Sequence, residues 1–197
     1  MELFLDTTGN YLNIVMYDNG IVENVHEECP RSQSENILPY IDELCKKHGY
    51  TANDITKVII TKGPGSYTGV RIAMTLAKVL CSTKNIPLYT ISTLQAMALS
   101  HGKVCSVIDA RSQRAFVGFY NNNTPECDDC IMTLDALKEK LSSDEYVVSG
   151  NGALVGKDAV EDIMNVEIFN HPECLELVEN VHTLVPVYLK EDEAYGR

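Results

Sequence analysis

With 197 residues, 45% apolar and 22% charged, the chain can bury a core without disulfides, which excludes a disordered or fibrous protein. No apolar run nears the roughly 18–20 residues that cross a bilayer, and residues 1–6 lack the basic and apolar regions of a secretory signal, so no membrane association is expected. Sixteen Lys and Arg against 28 Asp and Glu leave a net charge of −12, which excludes tight direct binding of nucleic acid and leaves only action beside a basic partner that holds it.

Residues 3–6 form a short apolar run ending in Asp6, 7–10 a turn, and 11–17 alternate as a half-buried strand does. After Asp18-Asn19-Gly20, residues 21–27 complete an antiparallel meander of three strands. Ile37, Leu38, Ile41, Leu44 and Cys45 recur at helical spacing before Gly49. Pro39 belongs in a first turn, where its missing N–H costs little, which puts the helix start near Glu35 or Asn36. A strand at 58–61, a loop at 63–65, a helix at 68–82, a strand at 88–91 and a helix at 92–100 follow. Ser92 and Gln95 have capping-box spacing.

The second half repeats this order. Residues 106–109 are again an apolar run ending in Asp109, 110–113 a turn, and 114–120 a strand; laying Asp109 on Asp6 puts Val117 on Ile14 without a gap. Strands at 130–133, 146–149 and 166–169 and helices at 134–141, 159–164 and 172–182 continue it. Both halves then read strand-strand-strand-helix-strand-helix-strand-helix. That order predicts an α/β protein of two ribonuclease-H-like domains, mixed sheets with flanking helices, at residues 1–102 and a shortened 103–197.

Gly63-Pro64-Gly65-Ser66-Tyr67-Thr68-Gly69-Val70-Arg71 lies between a strand and a helix, where glycines permit a sharp turn and bring N–H groups to an anion. It is not a Walker A loop, since no Lys follows Gly69. Its G-x-G-x-x-x-G is one residue too long for a dinucleotide fingerprint, and Pro64 excludes a nucleophile elbow. Two readings remain, a tight helix-capping loop and a phosphate cradle. On the following helix the polar residues Arg71, Thr75, Lys78 and Ser82 keep to one stripe, and apolar residues take most of the rest. A helix packed only on its own sheet needs an apolar arc of about 100° or somewhat more. The excess is covered by the helix at 37–45, by a partner protein, or by both. Ile37, Leu38, Ile41, Met74 and Ala77, with Arg71 and Lys78, are the candidate interface residues.

Asp6-Thr7-Thr8-Gly9 and Asp109-Ala110-Arg111-Ser112 are corresponding hairpins. In sugar-kinase, heat-shock and actin-type ATPases two such hairpins clasp nucleotide phosphates, and the second carries Gly. Ala110, Arg111 and Ser112 stand here instead, so Asp6, Thr7, Thr8, Asp109 and Arg111 mark a degenerate nucleotide site. Ser149-Gly150-Asn151-Gly152 is similar to the glycine pair beneath the adenosine of such enzymes. Seven cysteines, an odd number and most of them single in apolar stretches, read as free thiols of a reducing cytoplasm. No His pair has H-x-x-x-H spacing, which excludes a zincin. Cys127, Cys130, His171 and Cys174 have the residue types of a Cys₃His zinc set, but Asp128 and Asp129 between the first two disfavour thiolates. No metal is expected.

The loop and helix from Gly63 to Arg71 closely resemble the signature of the bacterial TsaB (YeaZ) family. Leu5-Asp6-Thr7-Thr8, Ile37-Leu38-Pro39, Ser92-Thr93-Leu94, Ile108-Asp109-Ala110-Arg111 and Pro186-Val187-Tyr188-Leu189 match in the same order. Tyr67 stands where Phe is usual and Ala73 where Gly is common, and the second domain is shorter than in many members. The resemblance implies the actin-like ATPase (ASKHA) fold and a non-catalytic partner of TsaD in making N6-threonylcarbamoyladenosine beside the anticodon of tRNA. It implies pairing with TsaD through N-terminal-domain helices, TsaE in the same system, a homodimer by the same surface when alone, and tRNA contact only through the complex. It implies no catalytic residue and no cofactor beyond weak ATP or ADP binding in the complex with TsaD. Two rival classes stay open: an active ATPase or kinase of that fold, and a glycoprotease-like peptidase, for which no metal or nucleophile set is present.

Overall fold

The computed structural model describes residues 1–29 and 32–189. In chain order its strands and helices are β1 (Glu2–Asp6), β2 (Tyr11–Tyr17), β3 (Ile21–Glu28), α1 (Gln33–Lys47), β4 (Lys57–Thr61), α2 (Tyr67–Lys84), β5 (Leu88–Ile91) and α3 (Thr93–Ala98). There follow β6 (Lys103–Arg111), β7 (Arg114–Asn121), β8 (Thr124–Pro125), β9 (Cys130–Thr133), α4 (Leu134–Lys140), β10 (Val147–Gly150), β11 (Ala159–Val160), α5 (Met164–Glu167) and β12 (Glu176–Leu177). The first sheet has the order β12-β5-β4-β1-β2-β3, and the second β11-β10-β6-β7-β8, with β9 also on β7. In each sheet an antiparallel hairpin joins a parallel strand: β1 pairs β2 antiparallel and β4 parallel, and β6 pairs β7 antiparallel and β10 parallel. This is the expected two-sheet α/β architecture.

Helices cover both faces of the first sheet. Leu3, Leu5, Leu12, Ile14 and Met16 pack with Ile37, Ile41 and Leu44 of α1 and Val70, Ala73, Met74 and Ala77 of α2. On the opposite face Phe4, Val15 and Ile59 pack with Ala96 and Leu99 of the α3 segment and with Met164 and Ile168. β2 is therefore buried on both faces and not half-buried, because residues from the end of the chain return to cover it. The short helix α3 serves both sheets, since Leu94 and Ala98 pack on Val104 and Tyr120 of the second. The far face of that sheet packs Cys105, Val107, Val117 and Phe119 against Leu134 and Leu137 of α4.

After β10 the repeat continues in shortened elements that differ from the expected ones: β11 pairs β10 in parallel as β5 pairs β4. Residues 159–164 hold the two-residue β11 where a helix was expected, and 166–169 continue the turn of α5 where a strand was expected. Burial of Met164 and Ile168, four residues apart, against Phe4 and Val15 sets helical winding there. Residues 172–182 hold one short helical turn (Pro172–Cys174) and β12 in place of a helix, because Glu176 and Leu177 add to the edge of the first sheet against β5. α1 starts at Gln33, so Pro39 lies inside the helix; it is on the exposed side, where water replaces the lost bond. Ser92 makes no side-chain cap bond; its hydroxyl donates to Asp129 of the other half.

Candidate functional site

Asp6 ends β1 beneath the signature loop, 3% exposed. Its carboxylate accepts hydrogen bonds from the Thr8 N–H (3.1 Å), the Thr8 hydroxyl (2.6 Å), the Asn13 amide (2.8 Å) and the Thr61 hydroxyl (2.5 Å). Thr7 is built into α2: its hydroxyl donates to the Gly69 carbonyl (2.6 Å) and accepts from the Ala73 N–H (3.2 Å). Ser66 caps α2 by accepting from the Gly69 N–H, and its own N–H donates to the Thr8 carbonyl at 2.8 Å.

The glycines of the loop are explained by this docking. A Cβ on Gly69 would lie 2.0 Å from the Thr7 carbonyl oxygen, and one on Gly65 2.8 Å from that of Thr8. What approaches these glycines is the chain's own hairpin, so the helix-capping reading of the loop prevails over the phosphate cradle. Asp6→Ala would strand the Thr8, Asn13 and Thr61 donors in the interior. We expect it to cost about 3 kcal/mol, read as a lower urea midpoint with unchanged far-UV CD of the folded state.

The second hairpin is more open. Asp109 accepts from the Arg111 N–H at 2.8 Å, and its own N–H donates to the Asn151 side chain at 2.9 Å. Arg111, Ser112 and Gln113 all hold positive φ, a turn conformation that glycine usually supplies. Asp109, Gly150, Asn151, Ala153, Leu154, Lys157, Asp158 and Ala159 line an open cleft of about 420 Å³. Asp109 and the Gly150-Asn151 pair thus line one cleft, whereas Asp6, Thr7 and Thr8 line no part of it.

The candidate interface residues divide. Ile37, Ile41, Met74 and Ala77, expected on or under the interface surface, are 3%, 9%, 3% and 0% exposed and lie under it, within the chain's own core, because α1 and α2 both lie on the first sheet and turn these residues toward it. Leu38 of α1 is 58% exposed, and Val79 of α2, which the sequence reading did not single out, is 59% exposed. Arg71 and Lys78 fasten residues 182–189 along α2. Arg71 Nε donates to the Tyr188 hydroxyl at 2.8 Å, with its guanidinium 4.1 Å from the Tyr67 ring centre. Tyr67 and Tyr188 stack at 5.3 Å, and Lys78 Nζ donates to the carbonyls of His182 and Leu184. The Val187 N–H donates to the Lys62 carbonyl, and its own carbonyl oxygen lies 2.8 Å from where a Cβ on Gly63 would sit. This strap was invisible to periodicity, since it has none; its one signal was the late Pro186-Val187-Tyr188-Leu189.

No group of three or more His, Cys, Asp or Glu among the described residues could hold a metal ion. His171 instead bonds Ser100, Asn123 and Glu173. Cys29, Cys45, Cys81, Cys105, Cys127 and Cys174 are free thiols. Burial pushes Cys105 up to about 12 and Cys81 up to about 11, while Cys127 is exposed. Because the thiolate is the nucleophile, Cys127 should react first with an aromatic disulfide reagent at pH 8, and Cys81 and Cys105 only on unfolding, as thiol counting with and without denaturant will measure.

A family model described as "TsaD: tRNA N6-adenosine threonylcarbamoyltransferase" matches residues 17–163. The tRNA threonylcarbamoyladenosine biosynthesis protein TsaB of Bacillus subtilis is 29% identical over 220 aligned positions, covering 99% of this chain and 96% of that protein. The protein of the same name from Escherichia coli is 28% identical, over 76% of this chain and 71% of its own. The solved structure titled "YeaZ from Pseudomonas aeruginosa" superposes with a TM-score of 0.78 at 16% identity, covering 95% of this chain and 99% of that one, and has the same fold. The match of that family model over residues 17–163 places the chain in the TsaD family it describes, and within that family its likeness along nearly the whole length is to the TsaB proteins.

Proposed function

We propose that the chain acts in tRNA threonylcarbamoyladenosine biosynthesis as a non-catalytic partner of a TsaD-type enzyme. The observation that carries this is the state of Asp6. The carboxylate that would orient metal, water or an acceptor in a working enzyme of this fold is spent on Thr8, Asn13 and Thr61. The names borne by the relatives supply the process. The charge of −12 supports tRNA contact only through the complex, since phosphate neutralisation needs clustered cations. TsaE belongs to the same assembly, and the chain alone pairs with a second copy. No helix among the described residues is long and apolar enough to cross a membrane.

The test is co-expression with TsaD from the same source. A tagged chain should retain TsaD, and its removal should abolish threonylcarbamoylation of tRNA in a reconstituted system. Leu38→Glu, at an exposed position, should weaken that retention at least tenfold with melting unchanged; retention at full strength would move the contact off α1. A tight, salt-sensitive tRNA complex without TsaD would overturn the reading. The cleft at Asp109, Gly150, Asn151 and Lys157 favours weak ATP or ADP binding in the complex as a second property of the same protein. Turnover by the chain alone on the order of 1 s⁻¹, lost on Asp109→Ala, would instead make it an ATPase.

A further inference from the structure

The face of the second sheet that α3 covers has a polar row set into apolar surroundings. Ser149, Ser106 and Gly118 are register partners across β10, β6 and β7, so they point to one face. Val104 and Ile108, two residues to either side of Ser106, belong to the apolar cluster with Leu94, Ala98, Phe116 and Tyr120. Ser106 and Ser149 are both 0% exposed, and neither hydroxyl has a hydrogen-bond partner among the described residues. The hydroxyl of Thr93, 3% exposed on the first turn of α3, is in the same state.

A carboxylate stands at the Gly118 end of the row. A Cβ on Gly118 would lie 2.6 Å from Asp129 Oδ1. Tyr120 donates its hydroxyl to that oxygen and Ser92 donates to Oδ2, so Asp129 is gripped from both halves of the chain. Alanine would fill the same volume as serine without a buried hydroxyl to satisfy. Leaving a buried hydroxyl unpaired costs stability, and a native structure shows few such groups. Clustered here they indicate a ligand that pairs with them.

We propose that the Ser149–Ser106–Gly118 row is a binding site for ordered water, which joins the two serine hydroxyls and takes Asp129 as its acceptor. The donor set selects a small neutral ligand. Hydroxyls both donate and accept, and buried water makes two to four such bonds. Asp129 already accepts from Tyr120 and Ser92 and keeps lone pairs for one further donor, which water supplies. The water then belongs to the seam between the halves, beside the helix that serves both sheets.

A crystal structure at about 1.5 Å should show water within about 2.7–3.2 Å of Ser106 Oγ and Ser149 Oγ. Ser106→Ala and Ser149→Ala should each lower Tm by roughly 2–4 °C, and the double variant by less than their sum, because both act on the same bound water. Serine hydroxyls with no water peak beside them overturn the proposal. So does a Tm that is unchanged or raised in both single variants, the result expected when alanine merely removes an unpaired hydroxyl.

Discussion

Met74→Glu should unfold the protein. Met74 is 3% exposed among Ile37, Ile41, Ala73 and Ala77, in the layer between α1, α2 and the first sheet. A carboxylate there loses its water and gains no partner, at a cost of about 4 kcal/mol or more. A domain of this size holds roughly 5–15 kcal/mol in all, so most of the margin goes. Far-UV CD at 25 °C and the yield of soluble protein measure it. A variant that folds with its melting point intact would return Met74 to the surface. Met74→Leu conserves shape and should stay within about 1.5 kcal/mol of the unaltered chain.

Gly69→Ala should be nearly as severe although it adds one methyl group. The added carbon would lie 2.0 Å from the Thr7 carbonyl oxygen, a backbone atom with no rotamer to escape into. α2 would have to lift off the β1–β2 turn. That would break the bonds of Thr7 to the Gly69 carbonyl and the Ala73 N–H, and the Ser66 to Thr8 backbone bond with them. We expect a loss of about 4 kcal/mol, against the small gain an alanine gives in an open helix. Urea unfolding with intrinsic tyrosine fluorescence reads it. A loss under about 1 kcal/mol would mean that the hairpin and loop dock more loosely than described. Gly20, with nothing within 4 Å of a built Cβ, is the contrasting position for crowding alone.

The first half was legible because each of its elements carries its own periodic signal. β2 and β5 begin and end at the expected residues, and α2 exceeds the expected span by one residue at its start and two at its end. The end of the chain was not. Residues 164–189 are placed by what they cover, Phe4 and Val15 with Met164 and Ile168, and by an edge strand that only β5 completes. Neither cause leaves a period in the sequence. The candidate site was legible in its residues and not in their use. Asp6, Thr7 and Thr8 were singled out as remnants of phosphate chemistry, and the signature glycines as either cap or cradle. Which applied depended on a carbonyl approaching across 62 residues of chain, from Thr7 to Gly69. The same holds for Arg71 and Lys78, whose partners are Tyr188, His182 and Leu184. Composition alone could not separate a helix wrapped by its own chain from one awaiting a partner.

The return of the chain end to the first sheet also bears on how the protein is made. During synthesis the first five strands and two long helices leave the ribosome with one sheet face uncovered, and Phe4, Val15 and Ile59 on it have only Ala96 and Leu99 of the α3 segment to cover them until Met164 and Ile168 emerge. The edge strand, the Lys62–Glu176 ion pair and the Arg71–Tyr188 bond close later still. Contacts of such separation are slow to form, and an uncovered apolar sheet is prone to aggregate meanwhile. A truncated message ending anywhere before residue 164 would therefore yield a sticky nascent chain and not a smaller working domain. Translation rate over the last third of the gene, and chaperone supply while it is read, should govern the soluble yield more than any codon in the first half.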